Sequence, residues 1–253
     1  MARAFYLLFG VVAYLIFFAT FLYLIAFVGN LPWVPRTVDR GHEMVGIAHA
    51  VAANVALIAL FGLQHSIMAR QGFKKAWTRI VPWPLERSLY VLFASLALIV
   101  MFVFWHPIPA IVWSVENQYA VYALWALFGL GWAIVLISTF LLSHFELFGL
   151  SQVWGHVRGT APPPPAFRTP LFYARVRHPL YSGFILAFWA TPLMTAGHLL
   201  LAAGMTVYIL IAIRYEERDL VWLFGTQYQD YRRRAGMLVP RFGRSARAGS
   251  EQP

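Results

Sequence analysis

The 253-residue chain contains no cysteine. Without thiols it can form neither a disulfide nor a zinc–sulfur site, and it has no thiolate nucleophile. Cysteine usage therefore carries no information about the redox compartment.

The sequence also lacks the short motifs of soluble nucleotide and metal sites. It has no Gly-x-Gly-x-x-Gly fingerprint and no P-loop, and its eight histidines include no His-Glu-x-x-His or other tight ligand spacing. His49 and His65 would lie about 24 Å apart along one helix, too far to share a haem iron. We therefore predict no metal site.

Charged residues are scarce, at 12% of the chain against roughly 25% in an average soluble domain, whereas 60% of the residues are hydrophobic. A helix needs about 20 mostly apolar residues to cross the hydrocarbon core of a bilayer. Six apolar segments occur, at 5–29, 43–69, 87–105, 119–143, 180–195 and 198–214. The sequence predicts an all-α, polytopic transmembrane bundle with about six crossings. The last two should form a tight helical hairpin around the proline and glycine of 191–198.

The basic residues predict the orientation of this bundle. With six crossings, all of the 20 lysines and arginines except Arg36 and Arg40 fall on one side. Because cytoplasmic loops are rich in these residues, both termini and the 70–86 and 144–179 loops are expected in the cytoplasm. The same rule accounts for the net charge of +10, so no nucleic-acid partner is predicted.

Ionisable side chains are costly in a membrane protein, so each is a candidate functional group. Those that fall near the expected cytoplasmic end are His65, His144, Glu146, Arg177, His178, Glu216 and Glu217. Glu216 and Glu217 should stand at the C-terminal end of a helix, where the macrodipole repels anions. We expect them to have a cationic partner, from the protein or from a ligand.

Two stretches of the last third resemble a known signature. Arg-His-Pro-Leu-Tyr-Ser-Gly at 177–183 is followed, after the predicted hairpin, by EERDLVWLFGTQYQDYRRRAGMLVPRF at 216–242. Together they resemble the membrane-integral methyltransferases of the isoprenylcysteine carboxyl methyltransferase-like superfamily. The matching residues are Arg177, His178, Pro179, Tyr181, Gly183, Glu216, Glu217, Gly225, Tyr228, Tyr231 and Pro240.

The front of the chain resembles one branch of that superfamily. The stretches at 62–70, 86–98 and 143–154 are most similar to bacterial methanethiol S-methyltransferases, which make dimethyl sulfide. Related sequences are assigned to denitrification accessory proteins. The resemblance implies a multi-pass protein of the bacterial inner membrane, with its active site toward the cytoplasm and a small thiol as substrate.

The resemblance implies S-adenosyl-L-methionine as the cofactor. The residues it assigns to the cofactor site are Arg177, His178, Pro179, Tyr181, Gly183, Glu216, Glu217 and Tyr228. By their chemistry, Glu216 or Glu217 can accept from the α-ammonium group or ribose hydroxyls, and Arg177 can bind the carboxylate through two hydrogen bonds. Gly183 would let the backbone approach the ligand, and the Tyr181 ring can face the sulfonium.

A thiol acceptor must lose its proton, because the thiolate is the nucleophile. His144 or His65 is the expected general base, with Glu146 as a carboxylate that could orient it. His178 is expected to belong to the cofactor site instead.

The resemblance also divides the chain into three parts. Residues 1–143 would form the scaffold and substrate pocket, residues 144–242 the cofactor site, and residues 243–253 a disordered tail. The 144–179 loop, whose four consecutive prolines favour an extended spacer, is a candidate lid.

Two other functions stay open at this point. The enzyme could methylate a lipid or a prenylated cysteine carboxylate. Alternatively, the chain could be a non-enzymatic membrane protein that serves nitrogen-oxide or haem metabolism and has no affinity for S-adenosylmethionine.

Overall fold

The computed structural model describes residues 2–41, 45–160 and 166–241. The four prolines and the 243–253 tail discussed above lie outside these ranges. Within them the elements are α1 (Ala2–Val28), α2 (Ile47–Ala69), α3 (Gln71–Trp77), α4 (Trp83–Phe104), β1 (Ile111–Ser114), α5 (Gln118–Leu141), α6 (His144–Leu147), α7 (Leu150–Arg158), a 3₁₀ turn (Leu171–Ala174), α8 (Pro179–Trp189), β2 (Leu193–Thr195), α9 (Ala196–Phe224) and α10 (Thr226–Arg234).

Five of the described helices are long and apolar enough to cross a membrane: α1, α2, α4, α5 and α9. Each has at least 22 residues, or about 33 Å at 1.5 Å per residue, which exceeds the roughly 30 Å of the hydrocarbon core. The prediction of an all-helical chain with several membrane-spanning helices is confirmed. The side on which each loop and terminus lies stays a prediction.

The expected hairpin of two similar helices is replaced by a short helix and a long one. α8 has 11 residues and ends at Trp189, giving about 16 Å, roughly half of the hydrocarbon thickness. Thr191 precedes Pro192, and a residue before proline disfavours the helical conformation. The turn instead forms β2, which pairs antiparallel with β1.

α9 runs on for ten residues beyond the expected end, to Phe224. The expectation that Glu216 and Glu217 stand at a helix end was therefore wrong. Both lie inside the helix, and their surroundings follow from side-chain contacts rather than from the macrodipole. The apolar pattern stops near residue 214 because this last part of α9 packs against charged partners.

Helix α8 packs closely against α5 through two glycines. A Cβ on Gly183 would lie 2.7 Å from the carbonyl oxygen of Gly131, and one on Gly131 would lie 2.7 Å from the amide nitrogen of Ala187. The sequence resemblance gave Gly183 a close approach to ligand. In the structure its close neighbour is the backbone of α5, so it brings two helices together.

The chain after α10 returns to the beginning of α8. Arg177 donates its amide to the Gly236 carbonyl at 2.8 Å, and His178 donates its amide to Met237 at 3.1 Å. The Ser182 hydroxyl donates to the Leu238 carbonyl at 2.6 Å. The two halves of the sequence signature are thus joined by main-chain hydrogen bonds.

Gly225 and Tyr231 explain the Gly-x-x-Tyr-x-x-Tyr part of that signature. Gly225 has φ +55° between α9 and α10, a conformation that glycine adopts without steric cost. The turn separates α10 from α9, and the buried Tyr231 hydroxyl of α10 donates to the carbonyls of Tyr173 and Val176. The C-terminal segment is thereby fixed to the chain that leads into α8.

Candidate active site

Glu217 is the centre of an ion-pair cluster between α8, α9 and α10. Its Oε1 accepts from Arg177 Nε at 2.6 Å and lies 3.2 Å from His178 Nε2, while its Oε2 lies 3.1 Å from Arg232 Nε. The Glu217 side chain is only 9% exposed. Both carboxylate oxygens therefore already have charged or polar partners from the protein.

Arg177 also holds the C-terminal segment. Its Nη1 donates to the carbonyl oxygens of Ala235 at 2.6 Å and Arg232 at 3.2 Å. These contacts and the ion pair to Glu217 fix the guanidinium in one orientation. The cationic partner expected for the glutamate pair is found for Glu217, and it comes from the protein.

Glu216 has different surroundings, although it is adjacent in sequence. Its side chain is 42% exposed, and its Oε2 lies 3.8 Å from His178 Nδ1. The tyrosines that interact with its carboxylate come from five separate elements: Tyr90, Tyr173, Tyr181, Tyr208 and Tyr228. A carboxylate among aromatic rings suits a cationic ligand, because both the charge and the ring faces attract it.

The two glutamates raise the pKa values of the nearby phenols that lie outside the membrane-spanning helices. Burial raises the pKa of Tyr173, and the negative charge of Glu216 raises it further. Burial also raises the pKa of Tyr228, with Glu217 and Glu216 adding to the effect. Both phenols therefore stay protonated at neutral pH and can donate hydrogen bonds.

Tyr228 has an unused donor at this site. It is 2% exposed, and its buried hydroxyl has no hydrogen-bond partner among the described residues. Since buried polar groups are normally hydrogen-bonded, this hydroxyl fits a ligand that carries an acceptor. The Arg177 and Glu217 charges act on it, so such a ligand would lie beside the ion-pair cluster.

An open cavity of about 560 Å³ borders the same cluster. It is lined by Arg177, Gln229, Arg232, Arg233, Ala235, Gly236, Met237 and Arg241. This volume is in the range of small-molecule and cofactor sites. The four guanidinium groups make its wall suitable for a carboxylate.

His65 belongs to an aromatic cluster between α2, α4 and α9. Its Nε2 is 2.7 Å from the Tyr90 hydroxyl, and its ring centroid is 6.3 Å from that of Tyr208. Tyr90 and Tyr208 both interact with Glu216. The salt bridge between Arg70 and Asp219, at 3.2 Å, fixes this end of α2 against α9. His65 therefore contacts Tyr208, which lies on the same helix as Glu216, eight residues before it.

His144 belongs to a separate cluster. Its Nε2 is 2.9 Å from the Tyr14 hydroxyl and its Nδ1 is 2.8 Å from Thr139 Oγ1. Thr139 donates its only hydroxyl proton to the Leu136 carbonyl, so it must accept from Nδ1–H, and the Nε2 lone pair then accepts from Tyr14. Burial lowers the pKa of His144. The imidazole is neutral, with both nitrogens occupied.

Glu146 does not bond to the His144 ring. Of the described side chains, those that share a cavity of about 240 Å³ with Glu146 include Lys74, Arg87 and Gln152. A Phe140 ring stacks on His144 at 4.3 Å, and other aromatic rings enclose the rest of the imidazole. The expectation that Glu146 orients this histidine is not matched by any contact.

Sequence reasoning missed several side chains of the site. Tyr90, Tyr173, Tyr208 and Arg232 were not among the candidates. Tyr208 stands eight residues before Glu216 on α9, just over two turns away and about 80° around the helix, so helical spacing alone gives only a weak indication of it. No local pattern singles out Tyr90 or Arg232, because their relation to the glutamates exists only in three dimensions.

Comparison with known proteins finds relatives over almost the whole chain. It is 53% identical over 233 residues to methanethiol S-methyltransferase 1 of Bradyrhizobium diazoefficiens, which covers 92% of this chain and 81% of that protein. It is 52% identical over 241 residues to methanethiol S-methyltransferase of Mycobacterium tuberculosis, covering 95% and 98%. Human nurim is 31% identical over 204 residues, or 76% of this chain and 74% of nurim. No protein-family model and no solved structure matches the chain.

Proposed function

The chain belongs to the methanethiol S-methyltransferase family, and on that premise we propose that it transfers a methyl group from S-adenosyl-L-methionine to methanethiol, releasing dimethyl sulfide. The observation that supports this most directly is the half-exposed Glu216 carboxylate among tyrosine rings, beside the ion-paired Glu217. The methyl donor is a cation with an ammonium, a carboxylate and an adenosine group. The residues around Glu216 offer a partner for each charge.

The cofactor supplies an electrophilic methyl group on a sulfonium centre. Glu216 binds a positively charged group of this molecule, the α-ammonium or the sulfonium. The Tyr181 phenol interacts with Glu216, and its ring faces the same cation. Of the arginines that line the 560 Å³ cavity, Arg232, Arg233 and Arg241 receive the carboxylate. Tyr228 donates its unused hydroxyl proton to an acceptor on the ligand.

Glu217, Arg177 and His178 do not contact the ligand in this proposal but support the residues that do. Their mutual ion pairs fix the C-terminal segment on α8 and so give the site its shape. Pro179 begins α8 at a position where its missing amide proton costs nothing. Gly183 places α8 against α5. Methyl transfer is an in-line displacement, and holding donor and acceptor in line is the protein's main contribution.

The acceptor is small and apolar, and we place it beside the aromatic rings that surround His65. Phe61 stacks on His65 at 5.3 Å, and Tyr208 contacts Phe61 edge-on at 5.7 Å. These rings exclude water from the thiol sulfur. Of the two histidines with the right chemistry, we assign proton abstraction to His65, because His144 has both nitrogens engaged, whereas Nδ1 of His65 has no hydrogen-bond partner among the described residues.

The protein would act in the bacterial inner membrane with this site on the cytoplasmic side. Five helices can span the bilayer, and the signature lies at the end that carries nearly all lysines and arginines. S-adenosylmethionine would then reach the site directly from the cytosol.

One experiment tests the function. The protein is purified in detergent, S-adenosylmethionine binding is measured by calorimetry, and dimethyl sulfide is measured in the headspace after methanethiol is added. We expect both binding and product. Absence of binding would favour a non-enzymatic accessory role, and binding with methylation only of lipid or prenylcysteine acceptors would replace methanethiol as the substrate.

The neighbouring glutamates provide matched variants. Glu216→Gln should weaken cofactor binding about tenfold to a hundredfold, the effect of one charge-assisted hydrogen bond, with little change in melting temperature. Glu217→Ala and Arg177→Ala should abolish binding and also destabilise the fold by about 3–5 kcal/mol, because each leaves a buried charge without its partner. Unchanged affinity in all three would remove the cofactor from this cluster.

A further inference from the structure

The contact between His65 and Tyr90 leaves one imidazole nitrogen available. Nε2 is 2.7 Å from the Tyr90 hydroxyl, whereas Nδ1 is buried and has no hydrogen-bond partner among the described residues. His144 differs in this respect, since Tyr14 and Thr139 occupy both of its nitrogens. Both histidines bond to a tyrosine hydroxyl through Nε2, so the second nitrogen distinguishes them.

The empty position at Nδ1 is where a proton donor on a ligand can bind. A neutral imidazole carries one proton, and the Tyr90 hydroxyl can either donate to Nε2 or accept from it. When the S–H of a bound thiol points at Nδ1, the imidazole proton has to be on Nε2, which then donates it to the Tyr90 oxygen. In that complex Nδ1 keeps its lone pair and can accept a proton.

The surroundings of this pair connect it to the methyl-transfer site. The Arg87 guanidinium stacks over the Tyr90 ring at 4.8 Å. Tyr90 also interacts with Glu216 on α9 and with Glu86 and Arg70, and the Tyr208 ring lies 6.3 Å from His65. Through Tyr208, His65 is therefore in contact with the helix that carries Glu216.

We propose that His65 accepts the methanethiol proton at Nδ1 and that Tyr90 is the positioning residue that keeps this nitrogen unprotonated. The inference rests on the proposed methyl transfer and adds the proton's route and a residue outside the sequence signature. The S–H bond breaks as the proton moves to Nδ1. The thiolate sulfur forms a bond to the methyl carbon, and the electron pair of the breaking bond goes to the donor sulfur, which becomes a thioether. The imidazolium then returns its proton to solvent.

A comparison of two acceptors tests the role of His65. A selenol is a much stronger acid than a thiol and is ionised at neutral pH, so methaneselenol needs no base. His65→Gln keeps an amide donor near the Nε2 position and removes the basic nitrogen. We expect it to lower kcat with methanethiol about a hundredfold or more, and kcat with methaneselenol less than about fivefold. Equal losses on both acceptors, or no loss on either, would overturn the proposal.

The wild-type protein separates this test from a failure of the proposed function. If the wild type binds no S-adenosylmethionine or forms no dimethyl sulfide, the function itself is wrong. If the wild type is active and His65→Gln binds S-adenosylmethionine with unchanged affinity, the kinetic result reports on proton transfer alone.

Two tyrosine-to-phenylalanine variants test the positioning role. Tyr90→Phe removes the acceptor of Nε2–H and should lower kcat with methanethiol about tenfold, with KM and the rate on methaneselenol unchanged. Its pH profile should also shift, because the imidazolium loses a hydrogen bond. Tyr14→Phe makes the same chemical change beside His144 and should leave kcat on both acceptors within about twofold. If Tyr90→Phe behaves like Tyr14→Phe, or if only Tyr14→Phe slows the thiol reaction, the assignment of Tyr90 is wrong.

Discussion

Adjacent residues on one helix can have opposite roles, as Glu216 and Glu217 do. Successive positions differ by about 100° around a helix. Glu217 has three polar partners, two from the residues just before α8 and one from α10, whereas Glu216 has His178 at 3.8 Å and remains 42% exposed. The sequence correctly indicated that the pair needs a cation. It did not indicate which member the protein uses for itself.

His144, to which we assign no role in proton transfer, gives a prediction at pH values below neutrality. Burial lowers the pKa of His144 in the folded protein, while an unfolded histidine titrates near 6.5. Below about pH 6.5 the unfolded chain therefore binds a proton that the folded chain does not. The free energy of unfolding should fall with decreasing pH, by less than about 1.4 kcal/mol per pH unit, the limit for one proton.

Melting temperatures of the detergent-solubilised protein between pH 8 and pH 5 measure this effect. His144→Gln, which has no titrating group at this position, should show a smaller loss between pH 7 and pH 5 than the wild type. Identical pH dependence in the two proteins would mean that His144 is not the source of the loss of stability.

Among the elements, the short α8 depends most on its neighbour. It has only 11 residues, too few for a helix of that length to be stable alone, and it packs along α5. The contact relies on Gly131 and Gly183, whose missing side chains allow main-chain atoms of the two helices to meet.

A glycine pair on α5 tests this packing. Gly131→Ala would place a Cβ 2.7 Å from the Ala187 amide nitrogen, and overpacking of this kind costs about 1–3 kcal/mol. We expect a melting temperature lowered by about 3–10 °C and weaker cofactor binding, because α8 carries the start of the signature. Gly129 lies two residues away on the same helix, and a Cβ added there would meet no neighbouring atom within 4 Å.

Gly129→Ala is therefore the matched control. It adds the same methyl group to the same helix and should be neutral or slightly stabilising, since alanine has the higher helix propensity. Equal destabilisation by both substitutions would mean that the α5–α8 contact does not cause the lower melting temperature of Gly131→Ala.

Helix α9 continues past residue 214, where its apolar segment ends. Hydropathy marks where a helix leaves the apolar region, not where it ends. The last part of α9 contains Glu216, Glu217 and Asp219, which bind arginines and a histidine from other elements. Tertiary contacts thus sustain the helix beyond the apolar segment.

At the scale of the whole molecule, the orientation in the membrane can be tested cleanly because the chain has no cysteine. Single-cysteine variants then have no background labelling. Gly72→Cys, on α3, should react with a membrane-impermeant maleimide only after bacterial cells are opened, since the basic loops are expected in the cytoplasm. Glu116→Cys, on an exposed loop that follows β1, should react in intact cells.

The two labelling results depend on each other. The reverse pattern would place the signature residues on the periplasmic side, away from cytosolic S-adenosylmethionine. Labelling of both positions in intact cells would mean that α4 does not separate them across the membrane.

The sequence by itself determined the class of the protein, most helix positions and the residues of the signature. These properties are local, because apolar segments and ordered motifs can be read along the chain without knowledge of contacts. Five of the six expected apolar segments correspond to long helices, and the signature residues around Arg177 and Glu217 do meet in space.

The tertiary structure decided the roles within that set. Gly183 contacts α5, Glu216 and Glu217 have different partners, and His65 has a nitrogen without a described partner whereas His144 does not. Each of these outcomes depends on partners far apart in sequence, such as Tyr14 and His144, which are 130 residues apart. Side-chain partners follow from how helices pack and rotate against one another, and no pattern within a single helix contains that information.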